Sequence, residues 1–429
     1  MNVRDRIRLD EFRQLKKDIR GSERHLIVGI DIAKDKHNAF FGTATGHTLL
    51  KRLVFENSIA GFEKLLTFYE SMKVRYGLEK EVFGFEPTAN YHKPLGEYLV
   101  KRDFTVVIVA GKAVSNNREM MDGRWDKNDT KDSANIADLI SQGKFMYFDH
   151  PVLPLRDLRN LLSLKRRFKR QEHGLRVRIR NHLLAQYFPE LDRYYGQWER
   201  GGLSIVQWCL SPSTIAGMGY EQFERLITPG SRGTVTQRER LKAVWHKAAE
   251  SIGCEVGEAL EFEAHMMVEG LKQVREAIKV TEKKIKEVCL YFPDYTYLRT
   301  IPGFGPDISA RVLAAIGNPF RFDNGKQVLK LAGWDLSAKR SGKRSRAVTP
   351  VISKKGKVEF RYALYQAAFI ASARNQRFVR YYTNKLRGRE KEKGIKTKMR
   401  VKLAAKLLVI AWTLMKKEEP FNPDFLNLE

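Results

Sequence analysis

The chain has 429 residues, more than one hydrophobic core usually organises, so about two or three domains are expected. Its 78 Lys+Arg against 50 Asp+Glu leave a formal net charge of +28. So large an excess repels itself unless a polyanion neutralises it, and nucleic acid is the commonest such partner. The longest largely apolar run, 407–415, falls far short of the roughly 20 residues a bilayer crossing needs, and the charged first 24 residues lack the apolar core of an export signal. No membrane partner is expected. Cys209, Cys254 and Cys289 are scattered, which argues against a disulfide framework or a cysteine-based zinc site and fits a reducing cytoplasm.

In chain order, a basic helical leader (1–24) gives way to a β-rich pattern. Residues 26–32, LIVGIDI, form a short apolar run of strand length; 38–42 and 48–55 follow, separated by Thr45-Gly46-His47, and read as a three-stranded meander. Helical spacing of Phe62, Leu65, Leu66 and Tyr69 predicts a helix over 59–76. A strand fits 81–85, a helix 91–102, a strand 104–109 and a helix 131–142. Three strands followed by alternating helix and strand is the element order of an RNase H-like α/β domain, assigned to 25–147.

Residues 148–295 read as a helical or coiled-coil arm with an insertion. Leu155, Leu158, Leu162, Phe168, Leu175, Ile179 and Leu183 outline one long helix, interrupted near Gly174. Its other faces are rich in Arg and Lys, among them Lys165, Arg166, Arg167, Lys169 and Arg170, and the last four are candidates for nucleic-acid backbone contact. A second long helix fits 258–290, with Leu271, Val274, Ile278, Val280, Ile285 and Val288 as its apolar positions. The stretch 193–254 is mixed and suggests no function. Residues 296–429 form a mainly helical C-terminal domain.

The acidic residues carry the chemistry. Asp31 lies inside an apolar strand, where a carboxylate is costly to bury without a partner. Glu86 follows the fourth strand, which runs beside the first in such a fold. Asp129 and Asp132 are three apart near a helix start and share a face. A divalent cation resolves the repulsion among four clustered carboxylates, and oxygen donors point to magnesium or manganese. Two such ions about 4 Å apart can stabilise the attacking and leaving oxygens of phosphoryl transfer. An isolated DxxD pair more often only caps a helix.

Two further motifs are basic or glycine-rich. In TIPGFGP, Gly303 and Gly305 make a tight turn into a helix; it is like the hairpin of helix-hairpin-helix modules, where free backbone N–H groups meet phosphate, although such turns also serve simply to pack helices. Residues 338–357, AKRSGKRSRAVTPVISKKGK, hold eight Lys or Arg and no acid. Arg340, Lys343, Arg344, Arg346, Lys354 and Lys355 are its candidate phosphate contacts. By spacing alone Ser341 is an ordinary loop serine, since no histidine follows His265 to act as its base.

Taken together, GIDIAKDKH, FEPTANY, KNDTKDSANIA, TIPGFG, LAGWDLSAKRSG, ISKKGK and YYTNKLRGRE resemble the DEDD transposases of bridge-RNA-guided insertion sequences, a group that includes the Piv-type DNA invertases. The resemblance covers nearly the whole chain. It implies a RuvC-like N-terminal domain binding magnesium through Asp31, Glu86, Asp129 and Asp132. It also implies a C-terminal transposase domain in which Ser341 is the covalent nucleophile, with Arg340, Lys343 and Arg344 stabilising the developing charge. A structured guide RNA, donor and target DNA, and a dimeric or tetrameric working form are implied as partners. Two departures stand out. Ala89 takes the place of a glycine in the Glu86 motif, and Gly333-Trp-Asp-Leu-Ser replaces a GLxP pattern, which leaves Ser345 and Ser337 as alternatives to Ser341. The rival functions are a site-specific invertase of the same family, a Holliday-junction-type endonuclease using water, and a non-catalytic nucleic-acid-binding protein with an inactive nuclease fold.

Overall fold

In the computed structural model the described residues are 3–122, 129–194, 200–229, 234–337 and 351–425. They divide into two units, Met1–Val152 and Leu153–Glu429. Among them no helix is long and apolar enough to cross a membrane.

The first unit is an α/β sandwich. It comprises α1 (Val3–Asp18), β1 (His25–Asp31), β2 (Lys36–Thr43), β3 (Thr48–Glu56), α2 (Ile59–Arg75), β4 (Lys80–Phe85), α3 (His92–Lys101), β5 (Val106–Ile108), α4 (Gly111–Asp122), α5 (Asp129–Ser141) and β6 (Met146–Tyr147). The strands form one sheet in the order β3-β2-β1-β4-β5-β6, with β1 antiparallel to β2 and parallel to β4. The predicted meander is present. As the strand between β2 and β4, β1 is covered on both faces, which is why HLIVGID is apolar almost throughout.

The period of two sorts the β1 side chains between two cores. Leu26, Val28 and Ile30 join Phe62, Leu65, Leu95 and Leu99 of α2 and α3. Ile27 joins Leu15 and Ile19, from α1 and the residue just beyond it, with Ile136 and Ile140 of α5. The α2 start is set by Ser58, whose Oγ accepts the Gly61 N–H at 3.2 Å. The N-terminal helix packs on this unit too: Phe12 meets Phe145 and Tyr147 edge-on, and Arg8 donates to the Phe148 carbonyl at 2.9 Å.

The second unit is mostly helical. It opens with α6 (Leu153–Arg178), a π-helical turn (Ile179–Leu184) and α7 (Ala185–Tyr187). Then come α8 (Pro189–Tyr194), α9 (Arg200–Trp208), α10 (Pro212–Ala216), α11 (Tyr220–Ile227), α12 (Val235–Ala248) and α13 (Glu258–Cys289). After these follow α14 (Pro293–Arg299), α15 (Pro306–Ile316), a 3-10 turn (Pro319–Arg321), α16 (Gly325–Ala332), β7 (Leu336–Ser337), β8 (Val351–Ile352), α17 (Val358–Arg374), α18 (Gln376–Leu386), α19 (Ile395–Lys417) and a last 3-10 turn (Pro423–Phe425).

Helices α6 and α13 are antiparallel neighbours, tied by Lys165 to Glu282 at 2.8 Å and Arg275 to Glu172 at 3.3 Å. Two details differ from the sequence reading. Gly174 does not interrupt α6, since the helix interior tolerates one glycine at a cost of about 1 kcal/mol; the irregularity falls at the π turn 179–184. Val280 is exposed, and Thr281 is buried in its stead. The stretch 193–254, functionally silent in sequence, contributes Leu203, Ile205, Val206, Phe223, Leu241 and Val244 to a core that α13 completes through Ala264, Val268 and Leu271.

A candidate carboxylate centre and a basic serine hairpin

The carboxylates are positioned by backbone register. Parallel pairing sets Gly29 opposite Gly84 and Ile30 opposite Phe85, so Asp31 and Glu86 each stand one residue further along adjacent strands. The alternation that sends Ile27 and Val82 into the α5-side core sends Asp31 and Glu86 to that same face. Helix α5 reaches this face because two glycines let it. A Cβ on Gly29 would lie 2.3 Å from the Ser133 carbonyl oxygen and 2.6 Å from the Ala137 nitrogen; one on Gly84 would lie 2.3 Å from Ile140 Cδ1. Asp132 precedes Ser133 and is buried, 3% exposed. Asp129 opens α5, three residues before Asp132; its side chain lies outside the described residues.

Four residues that sequence reasoning missed, Arg118, Asn117, Asn135 and Gly111, complete this corner. The Arg118 guanidinium on α4 is 2.5 Å from Asp132 Oδ1, neutralising a buried carboxylate. Next to it, Asn117 donates to Asn135 Oδ1 and Asp138 Oδ2, both at 2.7 Å, and Asn135 donates to the Val114 carbonyl at 2.7 Å. This polar ladder fixes α4 against α5. Gly111 begins α4, and a Cβ there would lie 2.4 Å from Glu86 Oε1, so its lack of a side chain makes room for that carboxylate. One signal for part of this was present in sequence. An isolated glycine inside a strand marks close backbone approach, and here it stands two residues before each carboxylate, as Gly29-Ile-Asp31 and Gly84-Phe-Glu86.

Among the described residues no group of three or more His, Cys, Asp or Glu is closed into a metal cage. The donor set nonetheless suits a hard divalent cation: carboxylates only, on one face of a sheet, with a cationic side chain against the most buried member. Asp31, Glu86 and Asp132, with Asp129 one helical turn from Asp132, are the residues that would hold such an ion.

Nearby, His37 is fully buried; its Nδ1 accepts the Ala33 N–H at 3.2 Å, and its ring contacts Phe55 and Phe62. Burial pushes its pKa below the ordinary value, only partly countered by Asn57. This is a core histidine closing the β1–β2 turn. Ala89, three residues past Glu86, has φ 46°, so it keeps the left-handed backbone a glycine would favour there.

In the second unit, Ser341 and its neighbours Arg340, Lys343, Arg344, Arg346 and Ser345 lie outside the described residues, but the stem that carries them is described. Leu336 pairs with Ile352 and Ser337 with Val351, so the backbone of Ser337 belongs to the hairpin ladder. Below it, Gly333 has φ 70°, and a Cβ there would lie 2.4 Å from the Gly356 nitrogen. The Lys354 N–H donates to the Gly333 carbonyl at 2.9 Å, and Ser353 bonds to Asp335. Lys354 (φ 56°) and Lys355 are exposed at this base.

The other candidate contacts are placed as follows. Gly303, with φ 88°, presses on α17, where a Cβ would lie 2.3 Å from the Ala367 carbonyl oxygen; Gly305 faces open space. At the start of α15, Asp307 already supplies an anion. Burial works to raise its pKa, but its bonds to Arg311 (2.7 Å) and Lys165 (2.6 Å) together prevail and hold it below the usual carboxylate range. On α6, Arg166 and Arg170 lie 3.0 and 3.9 Å from Glu359, Lys169 pairs with Glu172 at 3.0 Å, and Arg167 is exposed. Lys165, which the sequence pattern put on the basic outer faces of this helix, is instead buried between Asp307 and Glu282.

Comparison with known proteins bears on both units. A model of the DEDD transposase of IS110-type elements, described as a transposase, matches residues 28–189. One described as the transposase IS116/IS110/IS902 family matches 295–383. Over 419 residues the chain is 25% identical to the insertion element IS116 uncharacterized 44.8 kDa protein of Streptomyces clavuligerus, covering 94% of this chain and 98% of that protein.

Proposed function

We propose, from the premise that this chain belongs to the IS116/IS110/IS902 family of insertion-sequence transposases with an N-terminal DEDD domain, that it cuts and rejoins DNA through a covalent phosphoserine intermediate. The observation that carries the reading is the in-register placement of Asp31 and Glu86 on adjacent parallel strands, on the face covered by α5 and Asp132. Such a placement fits a RuvC-like arrangement of carboxylates. Magnesium, or manganese, held by Asp31, Glu86, Asp129 and Asp132 would polarise the scissile phosphate and favour loss of the attacking proton. Arg118 neutralises Asp132 when that charge is not otherwise met, and Gly111 leaves Glu86 its space.

Ser341 is the proposed nucleophile. Its Oγ–phosphorus bond forms as a phosphorus–deoxyribose oxygen bond breaks, and the serine proton leaves with the departing oxygen. One phosphoester replaces another, so the bond energy is kept for rejoining. Arg340, Lys343 and Arg344 would stabilise charge on the phosphorane oxygens. A clamped β7–β8 stem supports this role, because a nucleophile carried between two strands needs rigid ends to be aimed. A structured guide RNA that pairs with donor and target DNA, a dimeric or tetrameric working form and a cytoplasmic setting complete the proposal; the RNA and the oligomer rest on family resemblance.

Covalent trapping tests the nucleophile. Protein, its RNA and end-labelled DNA are mixed with magnesium, denatured and separated. A DNA–protein adduct that disappears in Ser341→Ala and is retained in Ser345→Ala is expected. An adduct that survives Ser341→Ala refutes the assignment, and clean cleavage with no adduct supports a nuclease that uses water.

A further inference from the structure

Helix α17 is apolar on both sides. Ala363, Leu364, Ala367, Ala368 and Ala371 are buried, yet the opposite face presents Tyr362 (61% exposed), Tyr365, Gln366, Phe369 (50% exposed) and Ile370. A helix that is apolar all round is normally covered all round, and exposed apolar patches mark binding surfaces. The outer face forms one wall of a cleft of about 500 Å³, whose other wall is the start of α15 from Gly305 to Ile308. A cation sits over one of its rings: Arg400 lies 4.5 Å from the Phe369 centroid.

We propose that this cleft binds unpaired bases of single-stranded DNA, stacked on Tyr362, Tyr365 and Phe369. Aromatic rings interleaved with Arg and Lys form the recurring platform for single strands, because every base offers a π-face and the cations follow the backbone. The wall chemistry selects bases over phosphates. Among the described residues no Lys or Arg lines the cleft, and Asp307 is already paired to Lys165 and Arg311, so the walls offer a phosphate no cation, whereas Gln366 offers an amide to a base edge. A second copy of this chain is a poorer occupant. Two such faces would bring Arg400 against its own kind, on chains of +28 charge. DNA is chosen as the polymer on the reading above, since strand cutting and rejoining exposes unpaired DNA bases.

The test is a binding measurement on full-length protein carrying Ser341→Ala, so that no cleavage enters it. The probe is a fluorescent oligothymidylate with one 5-iododeoxyuridine, compared with a duplex and with an oligouridylate of equal length. Tyr362→Ala with Phe369→Ala should weaken single-strand binding about tenfold and change duplex binding by less than about twofold. Tyr362→Phe and Phe369→Tyr, which keep the rings, should bind like the parent. Photocrosslinks should map to Tyr362 or Phe369. The proposal is overturned if the double alanine variant binds the single strand normally, if it loses both DNA forms alike, if the RNA strand binds markedly more tightly, or if its main effect is a lower mass in sedimentation. Normal single-strand binding by the double alanine variant, in a protein whose Ser341 form cuts DNA, would sink this inference alone, while absent cutting with ring-dependent single-strand binding intact would sink only the transposase chemistry.

Discussion

Adding a methyl group at Gly29 should break the seating of α5 on the sheet. The new Cβ would stand 2.3 Å from the Ser133 carbonyl oxygen, 2.6 Å from the Ala137 nitrogen and 2.9 Å from the Ala137 Cβ. Ordinary contacts between such atoms are about 3.5–4.0 Å, so the helix backbone must retreat by roughly 1 Å. Its retreat is opposed by Asn135, bonded to α4 through Asn117 and the Val114 carbonyl. Overpacking of this kind costs about 3 kcal/mol, equivalent to about 6–12 °C in Tm for a domain of this size. Gly84 is the internal control. It pairs with Gly29 in the sheet, but its Cβ would meet the tips of Ile140 and Val107, which can rotate away, so Gly84→Ala should cost only about 1 kcal/mol. Thermal unfolding followed by far-UV circular dichroism, with manganese affinity measured alongside, compares the two. Gly29→Ala should lose more stability and more metal affinity, because it displaces Asp132. Equal losses, or none in Gly29→Ala, would refute the argument that backbone contact at this glycine positions the site.

Other expectations follow from the same corner. Arg118→Met should destabilise the first unit by about 3 kcal/mol, since it leaves the buried Asp132 charge unmet, and added magnesium should restore part of the loss in a melting curve. Ala89→Gly should raise stability by up to about 1 kcal/mol by relieving the left-handed strain at φ 46°; a lower Tm would contradict that backbone assignment. His25, His37 and His92 all have pKa values pushed down by burial. The unfolded chain therefore binds protons first, so their contribution is complete above pH ~6.5 and is lost as pH falls toward the lower folded values. Tm should drop on acidification from neutrality, and His37→Asn should reduce the size of that drop.

Much of the first unit was legible because its strands are short apolar runs set off by turn residues and its helices carry apolar stripes. The meander, the parallel β1–β4 pair and the carboxylate positions came from those patterns together with the fold they imply. What escaped was α4: AVSNNREMMD has no strong apolar period, and its value lies in polar contacts that only tertiary structure creates, Arg118 on Asp132 and Asn117 on Asn135. The basic stripe on α6 was visible, but its division into buried Lys165, Arg166 and Arg170 paired to Glu359, and exposed Arg167 depends on α13, α15 and α17 packing beside it. The aromatic face of α17 was hidden for the opposite reason. A largely apolar stretch such as 362–371 reads as core, and exposure on one side cannot be told from composition.

The central claim is that the carboxylates of β1, β4 and α5 hold the divalent cation on which DNA cutting depends. Manganese binding followed by electron paramagnetic resonance, paired with cleavage of labelled DNA, tests it in Asp31→Asn, Asp132→Asn and a control at the exposed Asp35, Asp35→Asn. The first two should lose both the bound-ion signal and cleavage, and Asp35→Asn should keep them. Cleavage that persists without magnesium or manganese, or that survives Asp31→Asn undiminished, would contradict the account.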